Sequence, residues 1–311
     1  DGTLYFTPMG FDRSTGEGTH IAVGVSRVVG VTWEWTTLSE NRFVDRPWVA
    51  IAPDGFAHVI WNDGQGVSHS ISSDGGRTWE GPEKIHSKGG SSHLVVGPRG
   101  ELAVRITPLS ASGHQFDEGV EFIAVSIDRG QTWAFHQAPG TREWDPTFSD
   151  STMVPRWVEP LAWDSDGALY HLWSEGVQIY LARSVDRGEI WDVWPVAIHD
   201  EVAYFPYLVA ENSGKLAASW FSGSGEDMVI HVARIDVPER DGGEPSVVLT
   251  RPLQQDAWNE VEGTRTRNTG GEYIPVAFLA DGGLGVVTTI QDTENGRFGF
   301  SWWKIEPVPG D

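Results

Sequence analysis

Ser72-Ser73-Asp74-Gly75-Gly76-Arg77-Thr78-Trp79 returns as Ser126-Ile127-Asp128-Arg129-Gly130-Gln131-Thr132-Trp133, and again as Ser184-Val185-Asp186-Arg187-Gly188-Glu189-Ile190-Trp191. A worn copy, Ser26-Arg27-Val28-Val29-Gly30-Val31-Thr32-Trp33, keeps Ser, Gly, Thr and Trp but carries Val28 where the others have Asp. Successive tryptophans of the series lie 46, 54 and 58 residues apart, the length of one small antiparallel sheet. Each residue type suits a tight turn between two strands. A short Asp side chain accepts hydrogen bonds from nearby amides, Gly takes a conformation that other residues resist, and Trp packs back on the sheet. The role read from these residues is structural.

The flanks extend the repeat. Asp54-Gly55 to Ser72 and Asp166-Gly167 to Ser184 span the same 18 residues, and Trp61-Asn62-Asp63-Gly64 matches Trp173-Ser174-Glu175-Gly176. Each unit reads as four strands with the turn between the third and fourth, and with apolar alternation at period two in pieces such as His58-Val59-Ile60-Trp61. First strands are expected near Pro47, Ser92-His93, Pro160, Pro206 and Pro275. The segment from Thr3 to Trp35 supplies the last three strands of another unit, and the final unit, ending in Phe298 to Trp303, lacks an outer strand. The expectation is an all-β, six-bladed β-propeller of four-stranded antiparallel blades, forming one domain over 1–311 with a non-standard closure at the termini. Five or seven blades remain as alternatives.

The motif S-x-D-x-G-x-T-W resembles the Asp box (BNR repeat) of sialidases and similar propellers. That resemblance implies a carbohydrate-active scaffold whose boxes lie away from the active site.

Composition narrows the partners. Net charge is −22, from 22 Lys and Arg against 44 Asp and Glu, which repels polyphosphates and anionic membranes and argues against nucleic acid. No apolar run approaches the roughly 18 residues of a membrane span. With no Cys there are no disulfides or thiolate metal sites. No cofactor is expected; the acidic loop Gln115-Phe116-Asp117-Glu118 is the one segment considered for calcium. A monomeric, secreted or extracytoplasmic protein of bacterial type, with a carbohydrate substrate or ligand, is the expectation.

In an antiparallel blade, the start of the first strand and the loop between the second and third share one end, opposite the turns. Chemistry is sought at that end, where inner strands converge. It offers Arg46, Asp63, His93, His114, Arg156, Trp157, Glu159, Tyr204, Tyr207, Arg265, Arg267 and Tyr273. Sialidases use a Tyr activated by Glu as nucleophile, an Asp as acid/base and three Arg to hold a carboxylate. By that resemblance Tyr273 is the nucleophile, Glu159 its partner and Asp63 the acid, with Arg46 before Pro47 as one arginine. The sequence departs from the family at Ala203-Tyr204-Phe205-Pro206, which has no arginine, so Arg265 and Arg267 would have to complete the set.

Three readings stay open. One is a sialidase-like glycoside hydrolase. The second is a polysaccharide lyase with His93 or His114 as base, a tyrosine as acid and arginine neutralising a uronate. The third is a non-catalytic carbohydrate-binding propeller with tryptophan platforms.

Overall fold

A computed structural model describes residues 2–64, 66–87, 89–108, 119–141, 143, 160–223, 229–238, 243–250, 252–253, 273–291 and 298–307. The described residues form six antiparallel sheets, grouped in two compact units, Asp1–Ser149 and Asp150–Asp311. Among them no helix is long and apolar enough to cross a membrane.

The first unit holds three sheets. β1 (Leu4–Phe6) and β2 (Met9–Asp12) pair one edge of β3 (Glu17–Ser26), and β4 (Glu34–Ser39) pairs the other. The next sheet runs β5 (Asp45–Ile51), β6 (Ala57–Asp63), β7 (Gly66–Ser72), β8 (Glu80–His86), and the third β9 (Gly90–Val96), β10 (Leu102–Thr107), β11 (Phe122–Ser126), β12 (Ala134–Gln137). β1 and β2 are together one broken second strand, so this sheet lacks an inner strand, as its sequence implied.

The second unit repeats the plan. Its sheets are β13 (Leu161–Trp163), β14 (Leu169–Glu175), β15 (Gln178–Ser184), β16 (Asp192–Ile198); then β17 (Ala203–Ala210), β18 (Lys215–Ser222), β19 (Val229–Asp236), β20 (Ser246–Leu249); and the three-stranded β21 (Val276–Phe278), β22 (Leu284–Gln291), β23 (Phe298–Ile305). All five expected first strands are present.

Apolar clusters lie between consecutive sheets. Val59 and Trp61 of β6 join Ile21 and Val23 of the preceding sheet, while Ile60 joins Leu94 and Val104 of the next. Period two therefore sorts side chains between two cores, and every residue of β6 is buried. β18 behaves alike, with Ala218 and Trp220 in one cluster and Ala217 and Phe221 in another.

The repeated turns close as their residues dictate. Asp74 Oδ1 accepts from the amides of Arg77 and Thr78 at 2.9 Å each, and Oδ2 from the Thr78 hydroxyl at 2.7 Å. These bonds to Thr78 and its neighbours hold the Asp74 carboxyl well below the usual range. The left-handed backbone falls on two consecutive residues, which the sequence reading gave to glycine alone. Gly30, Gly76, Gly130 and Gly188 have φ of 82°, 79°, 84° and 94°, and the residues before them, Val29, Gly75, Arg129 and Arg187, have 53°, 73°, 62° and 66°. For a β-branched residue such as Val29 that is strained.

His58 and His69 are buried beside the turn of Gly130 and Trp133, with Nδ1 of the first and Nε2 of the second 3.0 Å apart. Burial pulls their pKa values down to about 4 and about 3.

Two outcomes are expected. Val28→Asp supplies the missing carboxylate beside Thr32 and raises the thermal midpoint by a few degrees, whereas Asp128→Ala lowers it by a similar amount, read by calorimetry. The buried pair binds fewer protons folded than unfolded, so its contribution is complete above about pH 6.5 and is lost as pH falls through about 4 and 3. The unfolding free energy obtained from urea titrations should fall between pH 7 and pH 4 by on the order of 3 kcal/mol per buried ring, and by less in total in His58→Gln.

Candidate functional site

Antiparallel register puts the start of β5 level with the end of β6, through Asp45 opposite Asn62, while Ser72 of the turn pairs Ala57 at the other end. The end away from the turns, here called upper, holds the entry of β5 with Arg46 and the end of β6 with Asp63.

In the first unit β5 enters through a bulge between Asp45 and Trp48. Arg46, just before Pro47, sits there at φ 49°, its amide donating to Asp45 Oδ1 at 2.8 Å. Its side chain is only 9% exposed, with Nε 3.8 Å from Asp45 Oδ2. Left-handed backbone in a non-glycine residue ahead of proline is costly, and such strain gathers at functional positions. The bulge directs Trp48 onto His93 of β9, with ring centroids 4.4 Å apart. His93 is buried, which lowers its pKa to about 4 and leaves it neutral at physiological pH.

Asp63 ends β6, buried, and accepts from the Ser68 hydroxyl at 2.8 Å and from the Lys84 ammonium. Lys84 Nζ also reaches Ser68 Oγ at 3.1 Å. Opposite His93 in the β9–β10 register stands Arg105. It forms an ion pair of 2.7 Å with Glu121, both side chains 0% exposed, and donates to the Thr107 hydroxyl at 2.6 Å. Thr141 Oγ1 accepts from the Glu121 amide at 2.9 Å and bonds its carboxylate. The network thus joins the upper ends of β10 and β11 to the chain after β12.

In the second unit β17 enters through the same kind of bulge, between Tyr204 and Tyr207, with Phe205 at φ 51° before Pro206. Phe205 occupies the place that Arg46 holds in β5, and it is buried. Tyr204 stacks on Phe221 at 5.6 Å. Tyr204, Tyr207 and half-buried Tyr273 pack against one cluster of Phe205, Phe221, Ile274 and Val276. Ser219 Oγ donates to the Ile274 carbonyl at 2.5 Å, tying Tyr273's segment to β18. Burial raises the Tyr204 hydroxyl to about 12 and raises Tyr207 also.

The structure therefore brings Arg46, Asp63 and His93 to the upper end of the first unit, and Tyr204, Tyr207 and Tyr273 to one cluster of the second. His114, Arg156, Trp157, Glu159, Arg265 and Arg267 lie outside the described residues, as does the acidic loop 115–118. Among the described residues no group of three His, Asp or Glu is placed to hold a metal. Sequence reasoning missed Lys84, Arg105 and Glu121. Arg105 carried a signal, being the lone charge in Leu102-Ala103-Val104-Arg105-Ile106.

No family model and no curated protein matches this sequence. Solved structures do. A protein of unknown function from Dyadobacter fermentans aligns with a TM-score of 0.58 at 15% identity, over 99% of this chain and 92% of that one. The NanB sialidase of Streptococcus pneumoniae aligns with a TM-score of 0.58 at 12% identity, over 98% of this chain and 66% of its own. The Trypanosoma rangeli sialidase gives 0.52 at 15%, over 97% and 52%. The scaffold is that of the sialidase-like β-propellers, and this chain spans about two thirds and about half the length of those two sialidases.

Breaking a fully buried ion pair from one side leaves an uncompensated charge, whereas removing both members relieves it. Arg105→Met is expected to cost about 3–5 kcal/mol of unfolding free energy, and Arg105→Met with Glu121→Leu to recover most of it, measured by urea unfolding.

Proposed function

We propose that the protein is a glycan-active propeller enzyme, a glycoside hydrolase of sialidase-like mechanism acting outside the cytoplasm, with the chain 1–311 serving as one propeller domain of six blades. The observation that carries this reading is the gathering of buried hydrogen-bonding and charged groups at the upper strand ends. Asp63, Arg46 and His93 do so in one unit, and a tyrosine cluster that includes Tyr273 does so in the other. The sialidase-like scaffold supports it at the level of fold.

In this mechanism Tyr273 attacks the anomeric carbon as Glu159 takes its phenolic proton, and a carboxyl proton from Asp63 passes to the departing glycosidic oxygen. Water then cleaves the tyrosyl–sugar bond, with Asp63 taking a proton from the water and Glu159 returning its proton to the departing Tyr273 oxygen. Asp63 meets the leaving oxygen only after Lys84 has released it, which makes opening of that ion pair part of the cycle. Arg46 holds a polar or anionic substituent of the sugar, aided by Arg156, Arg265 and Arg267; Tyr204, Tyr207, Trp157 and His114 line the ligand.

His93 favours a second reading. It is a buried imidazole against Trp48 that is unprotonated at physiological pH, the state the base of a uronate lyase must be in, with a tyrosine as acid.

A panel of glycosides and uronate-containing polysaccharides separates the readings. The hydrolase reading expects release of reducing sugar, with kcat/KM falling at least about 1,000-fold in Tyr273→Phe and about 100-fold in Asp63→Asn, at unchanged folding. Unsaturated-product absorbance lost in His93→Gln identifies a lyase instead. Glycan binding with no turnover in either Tyr273→Phe or the parent protein leaves a carbohydrate-binding propeller.

A further inference from the structure

The connection from β16 to β17 carries His199, and its surroundings form a cluster outside the site just described. Trp220 Nε1 donates to His199 Nε2 at 2.7 Å, which fixes the proton of that ring on Nδ1. His231 of β19 lies against it, ring centroids 4.2 Å apart, and shares a 2.7 Å hydrogen bond between its Nε2 and the Ser222 hydroxyl. The connection is strapped down by backbone bonds from His199 to Val177, from Ala203 to Gly176 and from Gly223 to Val202.

The three residues Trp220-Phe221-Ser222 link this cluster to the ligand-facing tyrosines. Side chains alternate along β18, so Trp220 and Ser222 hold the two histidines while Phe221 between them turns the other way and stacks on Tyr204. Ser222 pairs Ala203 and Phe221 pairs Tyr204 in the ladder. Any shift of this stretch is passed directly to the start of β17.

We propose that His199 and His231 form an acid-sensitive latch, which holds the upper end of β17 with Tyr204 and Tyr207 in place at neutral pH and releases it on protonation. A proton on His199 Nε2 removes the only acceptor on that ring for the Trp220 indole. Charge on both rings at 4.2 Å adds repulsion. Both rings are neutral near pH 7, since burial lowers His199, and burial together with the neighbouring His199 brings His231 to about 4. Asp200, on the same connection, is the carboxylate that opposes the shift of His199. Among the described residues, Glu201 on that connection and Glu175 at the end of β14 are the other carboxylates on the strapped segments. A released latch restores ordinary histidine basicity. Opening is therefore favoured as pH falls below about 6.5 toward about 4, by up to tenfold per pH unit for each proton taken up. The latch itself does not depend on which glycan is bound; its effect on ligand rests on the reading that the tyrosines of β17 face it.

Hydrogen exchange by mass spectrometry, corrected for intrinsic rates, tests the latch at about pH 7 and about pH 4.5. Protection of 200–204 is expected to fall at least tenfold in the parent chain. Protection of β14 and β15 (169–184) in the same unit should stay unchanged, reporting that the unit remains folded. His199→Gln with His231→Gln keeps an acceptor for Trp220 and for Ser222 but does not titrate, so the acid-induced loss is expected to vanish. Trp220→Phe should lower protection of 200–204 already at pH 7. A parent chain whose protection is independent of pH, or a double glutamine variant that loses protection as the parent does, overturns the proposal. Neither outcome depends on enzymatic turnover.

Discussion

One hydrogen bond recurs in all four turns, from the amide of Gly30, Gly76, Gly130 or Gly188 to the hydroxyl of the serine four residues earlier, at 2.7–2.8 Å. It outlasts the loss of the aspartate, since Ser26 still accepts from Gly30 although Val28 has replaced the carboxylate. The indole of Trp33 also still donates to the Gly30 carbonyl, as Trp133 does to Gly130. The carboxylate is thus an addition to a frame that serine and two left-handed residues already define. With the frame kept, the last two strands of the four sheets that carry it return at a fixed pitch.

That constraint explains what was legible. Serine, glycine and tryptophan spacing marks the turns because each is a local device whose partners lie within five residues. Four of the five first strands were legible from proline, β9 being the one without it, and the missing strands of the terminal sheets from residues that simply were not there. What could not be read were partners that depend on how faces meet. Asp63 finds Lys84 21 residues on, and Arg105 finds Glu121 16 residues on. The bulges that place Arg46 and Phe205 left-handed were hidden too, because a residue before proline ordinarily favours extended backbone. His58-Val59-Ile60-Trp61 showed alternation at period two in the sequence, but not that both faces of the strand are covered and that its histidine is a buried partner of His69.

The twin bulges show how one backbone device serves two chemistries. At β5 the strained position carries a guanidinium, held beside Asp45; at β17 it carries a buried phenyl ring that supports Tyr204. Because strain in the backbone is alike, the difference lies wholly in the side chain, and a scaffold of repeated sheets varies its upper end one position at a time. Fold likeness therefore says little about which groups stand there, and the tyrosine cluster and the Arg46 site each have to be argued from their own contacts.

Charge and burial pull against each other throughout the molecule. A chain with net charge −22 favours protonated histidine, and Asp54 does raise His58 in that sense. Burial nevertheless dominates at His58, His69, His93 and His231, all of which are driven to about 4 or below. The reason is distance and dielectric: surface carboxylates act through water at many ångströms, whereas loss of hydration acts at the ring itself. Protonation therefore removes acceptors these contacts need: at His199 Nε2 for the Trp220 indole, and between His58 and His69 once both rings are charged. Each such pair ties two strands, or a strand and the connection before its neighbour, so acid loosens contacts between strands before it reaches the carboxylate caps of the turns, which stay ionised to lower pH.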